Sequence, residues 1–222
     1  MNQEIISKYN FVKTIVIDEG YESEISWQSN LCFENLDEQC FLRELAWVVL
    51  SAGMRERIVR NLFGRISECF FDFESCKIIV KNKDRCYKRS IKYFNSPPKI
   101  SAIINSASKI NKIGFSELKC MIENNPIETL QEFEYIGPTT SYHLAKNLGL
   151  DVAKPDRHLV RIAKMEGYSD VQEFCRDISN LIGDSVPVID IVFWRFATIE
   201  RDYLKILSNL NTDIPQEMEL KL

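Results

Sequence analysis

Histidine is scarce in this chain, with two in 222 residues, at 143 and 158. The seven cysteines, at 32, 40, 69, 76, 86, 120 and 175, contain no CxxC pair. Without paired ligand spacing, neither a structural zinc nor an iron–sulfur cluster is expected, and no other cofactor is implied. The odd cysteine count points to reduced thiols and a cytoplasmic setting. Long apolar runs are also missing. LAWVVLSAGM at 45–54 falls far short of the ~20 residues that span a bilayer. The start MNQEIISKYN lacks the apolar region of a secretory leader, so neither export nor a membrane partner is expected. Neither an internal repeat nor a long low-complexity linker interrupts the chain.

What is present suits one medium domain or two small lobes, with 45% hydrophobic residues to build a core. The net charge of −4 argues against a non-specific polycation but not against local basic faces. Charge is unevenly placed. Residues 1–45 carry nine carboxylates against three Lys/Arg, an acidic arm. Residues 77–99 carry eight Lys/Arg against Asp84, with Tyr87, Tyr93 and Phe94 interleaved. That mixture suits a phosphate backbone and stacked bases; a solvated loop or helix face reads equally well. The polar tail after Asn211 reads as a terminal extension without chemistry.

Helical periodicity dominates, so the expected class is all-α. One amphipathic stretch runs from Phe41 to Phe70 with a break near Ser51–Gly53. KISAIINSASKINKIG follows a Pro97-Pro98 stop, and FSELKCMIENN, PIETLQEFEYI, TTSYHLAKNLGL, RHLVRIAKMEG and DVQEFCRDISNLIG each read as a helix. VIDIVFWRFATIERDYLKILSNL reads as one long apolar helix, and only the first ~30 residues, with FVKTIVID, look extended.

The densest punctuation lies in YIGPTTSYHLAKNLGLDVAKPDRHLVRIA, residues 135–163. Pro138 suits the first position of a helix, and Gly137 allows the positive φ that a tight reversal often needs. Thr139, Thr140 and Ser141 then place amides and hydroxyls at a helix N-terminus, which can hold a phosphate. The stretch reads as a helix–hairpin–helix that grips a nucleic-acid backbone without reading sequence, or as an ordinary αα-hairpin. Asp156, after Pro155 and before a helical run, is a favoured N-cap.

Ile136-Gly137-Pro138-Thr139-Thr140, a helix ending near Gly149, and Asp156-Arg157-His158 with Arg161 beyond together resemble the helix–hairpin–helix (HhH-GPD, endonuclease III-like) DNA glycosylase superfamily. Gly137 and Asp156 stand 19 residues apart. LAWVVLSAG at 45–53 is similar to the helix preceding the family's DNA-wedge loop, KISAIINSASKI at 99–110 to the helix before the hairpin, and VIDIVFWRFA at 188–197 to the C-terminal helix behind the aspartate. The resemblance covers roughly residues 40–200.

Departures from the pattern are informative. Tyr135 stands where endonuclease III-like hairpins usually carry a first glycine. FEYIG at 133–137 instead resembles the hairpin of 3-methyladenine DNA glycosylase I, whose zinc ligands find no match and whose pocket glutamate is replaced by Val48. The resemblance implies a divergent member whose substrate cannot be inherited from either group. Bifunctional members place a Schiff-base lysine where this chain has Thr139. A hydroxyl cannot form an imine, so base removal without strand cleavage is expected, with Lys146 and Lys154 as nearby amines that could substitute.

In that frame Asp156 is the expected catalytic carboxylate. Gly137, Thr139, Thr140 and Ser141 are the expected DNA-backbone contacts, and Thr139 and His143 the candidate base pocket. Met54 or Arg55 is the candidate wedge, because Gly53 falls at the family's wedge glutamine. A lone histidine such as His143 is more often a structural residue, and Met54 reads equally as core; Trp47 and Trp194 read as core. The resemblance implies a monomeric base-excision repair glycosylase acting on duplex DNA with a modified base, nucleoid-associated in the cytoplasm. One helical lobe is expected at 46–149, with the helix–hairpin–helix at about 126–149, and 1–45 plus 150–222 as the second lobe; the active site is expected in a cleft between them. A non-catalytic helix–hairpin–helix module and a bifunctional lyase are the alternatives.

Overall fold

A computed structural model describes residues 2–210; the polar tail after Asn211 lies outside the described residues. The described residues are helical and contain no β-strand. They form two compact units, one built from residues 2–31 and 151–210 and the other from 32–150. The second unit is thus an insertion into the first. Residues 32–45, expected with the acidic arm, cluster with the hairpin-bearing unit. They do so because Asp37 caps a helix there, accepting from the Cys40 amide, and that helix runs on unbroken to Ser51.

The discontinuous unit holds α1 (Asn2–Val16) and α2 (Glu22–Ser29) from the N-terminal segment. From the C-terminal segment come α11 (Arg157–Met165), α12 (Val171–Ile182), α13 (Val186–Ile199) and α14 (Tyr203–Asn209). The centre is α13, which packs against α1, α2, α11 and α12. It can serve four neighbours because it is apolar nearly all round, burying Val186, Val188, Ile189, Val192, Phe193, Phe196 and Ala197. The stretch expected to be extended, FVKTIVID, is mostly helical. Ile5, Tyr9, Val12 and Val16 recur at helical spacing and bury one stripe of α1 against α13, and that packing outweighs the β-propensity of FVKTIVID. The long helix expected from Val188 onward breaks at Glu200, whose backbone is extended, so α13 and α14 are separate.

Polar groups lock this unit. Lys8, 1% exposed, donates to both carboxylate oxygens of Glu166 at 2.7 and 2.9 Å. Arg195 on α13 makes a bidentate pair with Glu24 on α2, its guanidinium 4.3 Å from the Tyr21 ring centroid. A buried pair with this geometry fixes register more than it adds stability.

The inserted unit runs α3 (Glu38–Ser51), α4 (Glu56–Cys69), α5 (Cys76–Lys81), α6 (Lys83–Ser90), α7 (Pro97–Ile113), α8 (Phe115–Asn124), α9 (Pro126–Gln131) and α10 (Pro138–Asn147). The core helices α3 and α7 pack together. Phe41, Leu45, Val49, Ile100, Ile103 and Ile110 are each fully buried there, each contributing about 1.5–3 kcal/mol of transfer free energy before entropy is set against it. Pro97 and Pro98 open α7 rather than stop a preceding helix; their missing N–H groups cost nothing in a first turn. Phe71, Asp72 and Phe73 form a left-handed turn, φ 56, 51 and 59°. Stacking of Phe73 on Phe70 and Phe63 holds it, with the Asp72 carbonyl accepting from Gln39. At the end of α10, Gly149 adopts φ +90°, and a Cβ there would lie 2.7 Å from the Phe33 nitrogen.

Candidate active site

The hairpin is tighter than the periodicity suggests. Helix α9 ends at Gln131, so residues 132–137 form the turn. Buried Phe133 and Ile136 anchor it, with the Ile136 amide donating to the Phe133 carbonyl at 3.1 Å. The left-handed residue of the reversal is Tyr135, at φ +66°, not Gly137, which has φ −97°. A glycine is the unstrained choice at such a position, so the tyrosine there is held by its surroundings. Lys99 approaches the exposed Tyr135 ring to 5.9 Å from its centroid.

Gly137 therefore needs a different explanation. A Cβ at 137 would meet only Thr140 Oγ1, 4.0 Å away. Neither backbone conformation nor internal packing requires glycine, so the space it leaves is on the outside of the hairpin. The surface there is a shallow open depression of about 530 Å³ lined by Tyr135, Ile136, Gly137, Pro138, Thr139 and Thr140.

The first turn of α10 divides its polar groups between structure and surface. Thr140 Oγ1 accepts from the Gly137 amide at 2.7 Å and lies 3.2 Å from the Tyr135 carbonyl, so its hydroxyl closes the turn. Ser141 is fully buried, its hydroxyl donating to the Pro138 carbonyl. It is removed from the surface a phosphate would touch, because position 141 faces α9, where Gln131 donates to it. The amides of Thr139 and Thr140 and the Thr139 hydroxyl have no partner among the described residues. Free N–H groups at a helix N-terminus are of the kind that can donate to an anion. His143, half-buried, lies one turn along from Thr139 on the same helix.

The loop between α3 and α4 lies in the same unit. Gly53 sits at φ +68°, Met54 is 41% exposed and Arg55 is the extended N-cap of α4. Met54 is thus a surface side chain, not core. The loop is tied to the hairpin through Lys99. Its ammonium, 8% exposed, donates to the Leu50 and Ala52 carbonyls at 2.7 and 2.5 Å and faces the Phe94 and Tyr135 rings. Burial lowers its pKa from the ordinary lysine value. Lys99 was legible only as one cation of a basic run, and its role needed the fold.

In the other unit, Asp156 is the N-cap of α11. Its Oδ1 accepts from the His158 and Leu159 amides at 2.8 and 3.0 Å. Its Oδ2 makes no hydrogen bond among the described residues, and the residue is half-buried. The cap thus holds the carboxylate rigid and leaves one oxygen available. Side chains from distant helices clamp the segment leading to it. Gln172 accepts from the Ala153 amide at 2.9 Å and donates to its carbonyl at 2.6 Å. Asp190, 2% exposed on α13, accepts from the Lys154 amide. Asp151 accepts from the Val186 amide at 3.0 Å. None of the three was anticipated, although a lone carboxylate inside VIDIVFWRFA is a signal in itself, since a buried acid needs a donor.

His158 packs its ring edge-on to Tyr203, centroids 5.4 Å apart, with Nδ1 3.3 Å from the Tyr203 hydroxyl. Burial lowers its pKa, with Asp156 opposing the shift. Arg157 and Arg161 are exposed on the same helix. Of the amines that could replace a catalytic lysine, Lys146 is 4% exposed, about two turns beyond Thr139, and Lys154 is half-buried. Trp47 lies edge-on to Phe63 and Trp194 against Arg195, both half-buried.

This all-α arrangement shares its fold with a helical DNA glycosylase of known structure. Among solved structures it is similar to the 8-oxoguanine glycosylase/lyase of Methanocaldococcus jannaschii, determined in complex with a 15-mer DNA containing 8-oxoguanine. The TM-score is 0.57 at 18% identity, over 88% of this chain and 98% of that one. No family model matches the chain, and no curated protein matches its sequence. Among the described residues no helix is long and apolar enough to cross a membrane.

Proposed function

We propose that the chain is a monofunctional DNA glycosylase that removes a modified base from duplex DNA. The observation that carries this reading is Asp156, whose Oδ1 is committed to α11 while Oδ2 is left unpartnered. Breaking the bond between the sugar C1′ and the base nitrogen builds positive charge on the sugar, as in other oxocarbenium-like reactions. A fixed carboxylate stabilises that charge and orients the attacking water. The water oxygen bonds to C1′, its proton passes to the carboxylate or solvent, the base leaves with the bonding electrons and is protonated, and an abasic site remains. The free amides of Thr139 and Thr140 supply the backbone grip, Met54 is the side chain available to fill the gap left by the base, and Thr139 in place of an amine favours hydrolysis over imine formation.

The fold supports this reading, and the 8-oxoguanine in the neighbour's DNA makes an oxidised purine the first lesion to try. The test is a panel of duplexes bearing oxidised, alkylated, deaminated and otherwise modified bases, scored as alkali-labile sites. Base release lost in Asp156→Asn, with duplex binding kept, supports the assignment. Full activity in that variant refutes it. A borohydride-trapped adduct on abasic DNA would exclude the monofunctional reading. Silence across the panel would favour a DNA-binding module in which Asp156 is only a cap, a role its two amide bonds already fill.

A further inference from the structure

The strongly basic run at 77–92 is helical and forms a second cationic surface, away from the first turn of α10 in sequence and unused by the chemistry above. It carries Lys77, Lys81, Lys83, Arg85, Lys88, Arg89 and Lys92 against Asp84, seven minus one, a local charge of +6 in a chain whose net charge is −4. At 100° per residue, Arg85, Lys88 and Arg89 fall within an arc of about 100° on α6. Lys92 continues the stripe on the turn that follows. The buried residues Cys86 and Ser90 lie about 60–100° beyond Arg89, which is itself half-buried. On α5, Lys77 and Lys81 are exposed, while Cys76 and Ile79 face the core.

Two features distinguish this face from an ordinary solvated one. None of the seven cations makes an ion pair or side-chain hydrogen bond among the described residues, although Lys8, Lys13, Arg60, Lys109 and Arg195 elsewhere all do. Aromatic rings also lie beside two cations of the surface. Arg85 lies 5.3 Å from the Phe71 ring centroid, and Arg65 extends the positive surface 5.9 Å from Tyr93. Of the aromatics in and just after the run, Phe94 is buried, Tyr87 half-buried and only Tyr93 well exposed. That is too few for a platform on which successive bases stack, so the face fits a duplex backbone rather than a single strand.

We propose that the α5–α6 face is a second, sequence-independent contact for the phosphate backbone of duplex DNA, additional to the hairpin. The stripe from Arg85 to Lys92 spans ~10 Å, a length over which duplex DNA presents about six backbone charges. The face binds unmodified duplex and releases its counterions on contact. The inference rests on the DNA-directed reading above only in choosing DNA among polyanions.

The test is equilibrium binding of the full chain to a fluorescent unmodified duplex between 50 and 200 mM KCl. It compares wild type with Arg85→Gln/Lys88→Gln/Arg89→Gln/Lys92→Gln, both checked for equal helicity. Each phosphate contact removed lowers the slope of log K against log salt by about 0.9. The quadruple variant should therefore lose about 2–4 from the slope and bind at least ~10-fold more weakly at low salt. A slope within about 0.5 of wild type overturns the proposal. So does a loss confined to single-stranded RNA or to vesicles containing anionic lipid, measured in parallel. A reduced slope in a chain that excises no base leaves this inference standing and sinks the glycosylase reading. Excision with an unchanged slope does the reverse.

Discussion

The Lys99 ammonium sits between the carbonyls that end α3 and the ring of Tyr135, 2.7 Å from the Leu50 oxygen and 5.9 Å from the ring centroid. One side chain therefore sets both the loop that carries Met54 and the left-handed turn of the hairpin. Its removal should be felt at both. Lys99→Met leaves two buried carbonyl groups short of a donor and should cost about 1–3 kcal/mol, seen as a thermal midpoint lower by roughly 3–10 °C. A midpoint within about 1 °C of wild type would show that water replaces the ammonium without loss.

At Tyr135 two effects oppose. Glycine would relieve about 1–2 kcal/mol of left-handed strain but forfeit a cation–π contact of about 0.5–1 kcal/mol. Tyr135→Gly should thus change stability little, in the stabilising direction if at all. Tyr135→Val adds β-branching at φ +66° and should be clearly less stable than either. The ranking is read from denaturant midpoints, and a valine variant as stable as the glycine variant contradicts it.

For Asp156, stability and activity should separate. Asparagine caps a helix as well as aspartate does, whereas alanine loses about 0.5–2 kcal/mol. Asp156→Asn should melt with wild type while base release disappears, and Asp156→Ala should lose both. Parallel melting and excision assays on the two variants check this.

Gly137→Ala meets no clash and no strained φ, so its melting point should match wild type. A methyl on the outer face of the hairpin should still weaken duplex binding, alike for every lesion and for unmodified DNA. Selective loss on one lesion would mean that the position reads the base instead.

Burial raises the Glu44 carboxyl above its usual range, only partly countered by the Asn147 amide donating to it at 2.9 Å. The native state then holds a proton that the unfolded chain releases near pH ~4.3. Stability falls as pH rises from that value through the raised native pKa. Glu44→Gln keeps an acceptor for Asn147 and cannot ionise. It should match wild type near pH 4 and exceed it at pH 7–8, as calorimetric scans at the two pH values would reveal. An equal gap at both would mean that Glu44 does not titrate in this window.

Much of the architecture was legible from local signals. The Pro138 start, the Asp156 cap and the α3–α4 break are written in adjacent residues, and each lies where the pattern puts it. What escaped depends on partners remote in sequence. Helix α1 looks extended until α13 supplies a surface for Ile5, Tyr9, Val12 and Val16. Ser141 reads as one more hydroxyl at a helix start until α9 covers it. Gln172 and Asp190 hold the segment before Asp156 from 19 and 36 residues away, and no window short enough to show periodicity contains both ends of such a bond. The left-handed residue of the hairpin went to Gly137 because glycine is the usual choice there; Tyr135 takes it through contacts that only the folded unit provides.

Gly149 carries a consequence for how the chain is put together. Its Cα lies against the Cys32–Phe33 backbone so closely that no side chain fits, so the segment entering the inserted unit passes directly beside the segment leaving it. The two ends of the 32–150 unit therefore lie side by side. A segment whose ends already meet should tolerate excision or insertion as a unit better than one whose ends lie far apart. Any larger residue at 149 would push those two segments apart.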